Sequence, residues 1–258
     1  MAEEQVLMLN ESDKIAFASI VREFAADGHS RFGIGTYKEK TLHYVLKKFF
    51  EQDISYHEVK CCGFVADVMK DGNITEIQTA SLSGMRDKLA AYAESSQVKS
   101  FRIVFPIAAC RRIFWIDPAN GEISGGRTAR SATKYSFLSE LIYISEFLKC
   151  GKLMLTIAEV ALDEYRCLNG WSRDRKKGAE KLDRVPVDIL SVTDYAGPTD
   201  LSDFVPESLP DRFTRNDFSK AASLKGRRLW AALKVLEENG VIAKTESEGR
   251  AHIYEKIL

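Results

Sequence analysis

The stretch Gly63-Phe-Val-Ala-Asp67-Val-Met-Lys-Asp-Gly72-Asn-Ile-Thr-Glu76-Ile-Gln78-Thr-Ala80 decides the fold. Two apolar runs, one ending near Met69 and one starting at Ile74, flank Asp71-Gly72-Asn73, and Asp-Gly between β-prone segments predicts a tight hairpin. Strand side chains alternate faces, so Asp67 is expected with Val65 and Met69, and Ile74, Glu76 and Gln78 together on the second strand. The closed hairpin then sets an Asp, a Glu and a Gln side by side on one sheet face. Carboxylates this close repel one another, and burial raises the penalty, so something positive is expected between them. A divalent cation meets that need. Mg²⁺ takes oxygen ligands in octahedral geometry and often uses only one or two protein carboxylates plus waters and a substrate phosphate. Asp67, Glu76 and the backbone carbonyl of Ile77 offer such a half-shell.

Working outward, Tyr56 to Met69 reads as one strand leading into the hairpin. Before it, Gly33-Ile-Gly35-Thr36 opens a helix over Tyr37 to Phe50 with Leu42, Leu46, Phe49 and Phe50 as its buried stripe. Thr36 and Glu39 fit a capping box, which is one reading of Glu39. The other comes from spacing: Glu39 and His43 lie four apart on one helix face and approach a common site. His43 reads either as a half-buried polar residue or as a base. Beyond the hairpin, Ser81 to Ser95 is helical through Met85, Leu89, Tyr92 and Ala93. Phe101 to Ile107 is a buried strand, and Ile113 to Ile123 a second hairpin turning at Pro118 to Gly121. This succession predicts an α/β fold, a mixed sheet flanked by helices, and not a doubly wound dinucleotide fold.

Helix with Glu, strand with Asp, turn, strand with Glu-x-Gln, helix, strand: in this order the residues resemble the PD-(D/E)xK nuclease superfamily. The resemblance covers roughly residues 30 to 115 and extends toward 195. It implies a restriction-endonuclease-like core and a metal-dependent deoxyribonuclease using Mg²⁺ or Mn²⁺. Asp67, Glu76 and the Ile77 carbonyl would hold the ion, with Glu39 supporting a second ion or a water. Gln78 stands where the superfamily usually has Lys, a variant met in some of its members, and would orient the attacking water. Gln donates and accepts hydrogen bonds but carries no charge, so Lys40 is an auxiliary candidate, as is His43. The resemblance also admits a homodimer. The alternative is a non-catalytic nucleic-acid-binding or regulatory protein on a degenerate nuclease-like core. The chain as a whole also resembles a set of bacterial proteins with no assigned function.

Farther along, Gly125 to Ser131 reads as a flexible basic loop carrying Arg127 and Arg130, and Tyr135 to Leu148 as an amphipathic helix. A long strand over Leu153 to Arg166 leads to a second basic loop, with Trp171, Arg173, Arg175, Lys176 and Lys177, before a returning strand over Val185 to Val192. Basic side chains beside one Trp suit a phosphate backbone, with Trp171 stacking on a base or packing on the body. Residues 196–210, rich in Gly, Pro, Asp and Ser, read as a linker. After it come a short helix from Phe213, a second over Arg227 to Glu238, and a hairpin over Val241 to Tyr254 with Gly249 in its turn. Helix, turn, helix and hairpin resemble a winged helix-turn-helix. That resemblance implies DNA contact through Lys225, Arg227, Arg228, Trp230 and Lys234, with Lys244 and Arg250 on the wing. The expected organisation is an N-terminal helical extension (1–30), a nuclease-like domain (31–195), the linker (196–210) and the winged-helix domain (211–258).

At 258 residues with 45% hydrophobic and 29% charged side chains, the chain can bury a sizeable core. Its formal net charge of zero supplies no global field toward nucleic acid, so any basic surface is local. No apolar run suits a bilayer and the acidic start does not resemble a signal peptide, so a cytoplasmic protein without membrane contact is expected. Five cysteines with no C-x-x-C pair read as reduced thiols, and adjacent Cys61 and Cys62 are expected on opposite strand faces.

Overall fold

The computed structural model describes residues 6–7, 9–26, 40–129, 131–170, 179–248 and 251–257. The decisive hairpin is β3 (Phe64–Lys70) and β4 (Asn73–Ile77), antiparallel, with Met69 opposite Ile74. Asp71 and Gly72 both take positive φ, 52° and 83°, the two-residue turn whose twist matches the strands. The strand expected from Tyr56 to Met69 is instead a hairpin of its own. β2 (His57–Cys61) turns at Cys62 and Gly63, also both at positive φ, into β3. Because Cys62 opens that turn rather than continuing a strand, its sulfur lies 3.3 Å from that of Cys61 instead of on the opposite face. All five cysteines are free thiols.

β5 (Ser100–Ile116) is one long strand where two were expected. It runs parallel to β4 over its first residues and parallel to β7 (Leu153–Cys167) along its whole length. Pro106 is tolerated because β4 pairing ends at Val104, and β6 (Ile123–Ala129) begins to pair on that side only at Arg111. The expected flexible loop from Gly125 is largely this edge strand. β8 (Glu180–Tyr195) returns antiparallel to β7, and β1 (Val6–Leu7) closes the edge. The result is an eight-stranded mixed sheet in the order β1-β8-β7-β5-β4-β3-β2, with β6 on β5.

Helices cover both faces, as the alternation of buried strand residues requires. On one face α1 (Glu11–Phe24) and α2 (Thr41–Phe50) bury Phe17, Leu42, Val45 and Leu46 against Ile77, Val104, Val160 and Leu162. On the other, α3 (Arg86–Glu94) and α4 (Lys134–Leu138) lie over Ile74, Phe101, Ile103 and Leu155. The helix expected through Leu148 stops at Leu138 and continues as two 3-10 turns, 141–143 and 145–147. Residues 196–210, read as a linker, contain a 3-10 helix whose Leu201 and Phe204 are wholly buried. The C-terminal part comprises β9 (Arg212–Thr214), α5 (Arg215–Ala221), α6 (Gly226–Glu238), β10 (Ile242–Glu248) and β11 (Ala251–Lys256), with sheet order β10-β11-β9. Its Phe213, Leu229 and Leu233 belong to the same buried cluster as Phe137 and Leu141. No helix among the described residues is long and apolar enough to cross a membrane.

Candidate active site

The β3–β4 ladder ends at Val68 and Thr75, one pair short of Asp67 and Glu76. Asp67 therefore does not join Glu76 in a regular cross-strand ladder pair. Its Oδ2 reaches between the strands and accepts the Ile77 backbone N–H at 2.7 Å, doing for β4 what a ladder carbonyl would do. The same oxygen meets His43 Nε2 of α2 at 3.2 Å. Burial pushes the Asp67 carboxyl up, but His43, the Ile77 N–H and the Lys88 charge outweigh it and hold the group below the usual carboxylate range.

Glu76 is 1% exposed and faces α3. Lys88 Nζ donates to its Oε2 at 2.6 Å and to the Val65 carbonyl at 2.7 Å, tying β3, β4 and α3 together. Tyr92, one helical turn farther, donates its hydroxyl to Oε1 at 2.8 Å. Burial and then the Asp67 charge push the Glu76 carboxyl up to about 7, against the pull of Lys88 and Tyr92. Burial and Glu76 raise the Tyr92 phenol as well, so it remains a donor. Two neighbouring carboxyls thus have opposite tendencies, one held ionised and one poised to take a proton near neutrality.

Lys88 and Tyr92 were not singled out as site residues by sequence spacing. Tyr92 was legible only as part of the apolar stripe of its helix, and Lys88 precedes the buried Leu89 on the margin of that stripe. Gln78 is half-buried, and its backbone N–H donates to the Val104 carbonyl at 2.9 Å. Lys40 does not join the acids, since its Nζ donates to the Leu182 carbonyl at 2.7 Å. Glu39 lies outside the described residues. Among the described residues no group of three or more His, Cys, Asp or Glu side chains is arranged as a metal site. The donor chemistry of the pair still fits a hard cation: two carboxylates, one of which burial and then its neighbour's charge push toward neutrality.

Of the expected nucleic-acid contacts, Arg130, Trp171, Arg173, Arg175, Lys176, Lys177 and Arg250 lie outside the described residues. Arg127 is exposed on β6. Lys225, Arg227, Arg228 and Trp230 are exposed at the start of α6, where Lys225 and Arg228, with Lys220 of α5, line a cleft of about 520 Å³. Lys234 is engaged by Glu238 at 2.7 Å and lies over the Trp230 ring. Lys244 is exposed on β10 beside His252.

A family model described as "Domain of unknown function (DUF8091)" matches residues 40–195, which run from the start of α2 to the end of β8 and include His43, Asp67, Glu76, Lys88 and Tyr92. An uncharacterized protein of Treponema pallidum (strain Nichols) is 25% identical over 224 residues, covering 86% of this chain and 87% of that protein. No solved structure matches the chain. The chain belongs to the DUF8091 domain family.

Proposed function

We propose that this protein is a metal-dependent nuclease that hydrolyses phosphodiester bonds in DNA on a restriction-endonuclease-like core, with its C-terminal part serving as a winged helix-turn-helix. The observation that carries the reading is the pairing of half-buried Asp67 with buried Glu76, held by His43 of the preceding helix and Lys88 of the following one and split in ionisation tendency. Asp67 and Glu76 would hold Mg²⁺ or Mn²⁺, together with the Ile77 carbonyl and Glu39. A bound ion of this kind acidifies a water and offsets charge building on the phosphoryl oxygens. His43 and the Ile77 N–H fix the Asp67 carboxylate in one orientation, and Tyr92 does the same for Glu76. Lys88 would supply beside Glu76 the positive charge that Gln78 lacks.

One observation favours a second reading. Lys88 and Tyr92 already satisfy both Glu76 oxygens without a metal, as they would in a nucleic-acid-binding module that does no chemistry. Incubation with Mg²⁺ or Mn²⁺ and plasmid, single-stranded or branched DNA separates the two. Metal-dependent cutting that disappears in Asp67→Asn and Glu76→Gln variants is expected. Binding without cutting under every condition would establish the module instead.

A further inference from the structure

Past the N-terminus of α2, the sheet face that α2 covers carries a cluster that the acidic pair does not use. Its centre is Glu164 on β7, with no exposed side-chain surface. Arg166 donates to it through Nε at 2.7 Å and again through Nη2, Lys181 Nζ lies 3.3 Å away, and Arg111 Nη1 reaches it at 3.5 Å. Arg184, opposite Glu164 on β8, completes the set. Three cationic side chains therefore contact one carboxylate, and a fourth, Arg184, feels its charge from across the strand pair.

A β-bulge builds this arrangement. Between β5 and β7 the register slips at Ala108 and Cys110, leaving Ala109 as the extra residue. Before the slip Ala108 packs on the α2 side; after it Arg111 stands opposite Leu162, itself part of the α2-side core. The bulge thus turns Arg111 onto the face that holds Glu164.

Among the described residues Glu164 is the carboxylate that bonds Arg111, Arg166 and Lys181, and one carboxylate cannot neutralise four cations. Among the described residues the buried Arg111 Nε has no hydrogen-bond partner, a rare condition for a guanidinium nitrogen. Burial depresses the Arg184 guanidinium below its usual range. The nearby Asp183 bonds Thr41 Oγ1 and the Arg184 backbone N–H, and reaches the Arg184 guanidinium only through its charge. Arg166 is held in place between Glu164 and the Trp115 ring, its guanidinium 5.4 Å from the ring centroid. The cluster still opens to solvent: the side chains of Arg111 and Lys181 are 28% and 52% exposed.

Two links join it to the acidic pair. Arg184 Nη2 donates to the Thr79 carbonyl at 2.9 Å, three residues beyond Glu76. Thr41, bound to Asp183, precedes by two residues the His43 that holds Asp67. We infer that Arg111, Arg166, Lys181 and Arg184 form a seat for a backbone phosphate of the nucleic acid whose neighbouring linkage lies at Asp67 and Glu76. The inference rests on the nuclease reading for its ligand but not for its chemistry, because the seat needs neither metal nor cleavage.

The test is binding in EDTA, where no cutting occurs. A short labelled DNA duplex and the corresponding single strand are titrated across a range of KCl concentrations. The proteins compared are the wild type, Arg111→Met, Lys181→Ala and an Asp67→Asn/Glu76→Gln double variant. Each cluster variant should weaken binding several-fold and reduce the slope of log K against log salt by about 1, while the acidic-pair variant, relieved of negative charge beside the linkage, should bind at least as tightly as the wild type. Lys181 is half-exposed, so its variant stays informative if Arg111→Met does not fold. Wild-type affinity and slope in both cluster variants, or no DNA binding by the wild type, would overturn the inference. Thermal stabilisation by inorganic phosphate without DNA binding would assign the seat to a small phosphorylated ligand and likewise overturn it. Cluster-dependent binding without metal-dependent cleavage removes the catalytic reading alone; cleavage with unchanged binding removes the seat alone.

Discussion

Replacing Lys88 with Met should change how stability depends on pH, in a window set by Glu76. The Glu76 carboxyl sits at about 7 in the folded protein against 4.5 for an ordinary glutamate. A carboxyl raised on folding binds more protons folded than unfolded. Its contribution is therefore fully present below pH 4.5 and is lost as pH rises through the folded value. In the wild type this loss amounts to about 3 kcal/mol and levels off above pH 7. Lys88 is the cation that limits it, since its ammonium lies 2.6 Å from Oε2 with only 16% of its side chain exposed. Methionine keeps the stem and removes the charge, so the Glu76 carboxyl moves higher still and the loss continues. Above pH 7 the variant should go on losing stability, by at most about 1.4 kcal/mol per pH unit, while the wild type levels off. Urea unfolding in chelator at a series of pH values measures the difference, with a Glu76→Gln/Lys88→Met double variant expected to restore the level profile. Parallel profiles for wild type and Lys88→Met above pH 7 would refute the assigned coupling.

The two tight turns offer a paired comparison. Gly72 has φ +83° and a Cβ there would lie 2.9 Å from the Gln97 carbonyl oxygen, whereas a Cβ on Gly63, at φ +81°, would meet nothing within 4 Å. Both alanine variants lose about 1 kcal/mol to backbone strain, and Gly72→Ala should lose about another 1 kcal/mol or more, read as a lower thermal midpoint. Glu164→Gln leaves four cations around a neutral amide and should destabilise the fold by about 3 kcal/mol. Sulfate should restore much of that loss where chloride of equal ionic strength does not; equal effects of the two salts would show that no anion seat exists there.

Much of the architecture was legible because local chemistry leaves few options. Asp71-Gly72 requires positive φ at two successive residues and could hardly be anything but the hairpin turn. Cys62-Gly63 makes the same turn, but Cys gives no turn signal, so the two strands read as one. The apolar spacing of Phe137, Leu138, Leu141, Ile144 and Phe147 suits a period of 3.0 nearly as well as 3.6, which hid the 3-10 turns beneath α6. At the site, alternation identified Glu76 and the hairpin brought Asp67 near it. What no pattern disclosed was the early end of the β3–β4 ladder, which sends Asp67 to the Ile77 N–H, or the rotation of α3 that brings Lys88 onto Glu76. The Arg111 cluster was invisible for the same reason: a one-residue bulge at Ala109 decides which arginine faces α2.

The central claim is that Asp67 and Glu76 together grip one divalent cation. Mn²⁺ titration followed by electron paramagnetic resonance and calorimetry, in the wild type and in Asp67→Asn/Glu76→Gln, tests it most directly. One Mn²⁺ bound per wild-type chain, with proton release because the poised Glu76 must ionise to bind it, and no such site in the double variant, is the predicted result. Equal Mn²⁺ binding by both proteins, or none by the wild type, would contradict it.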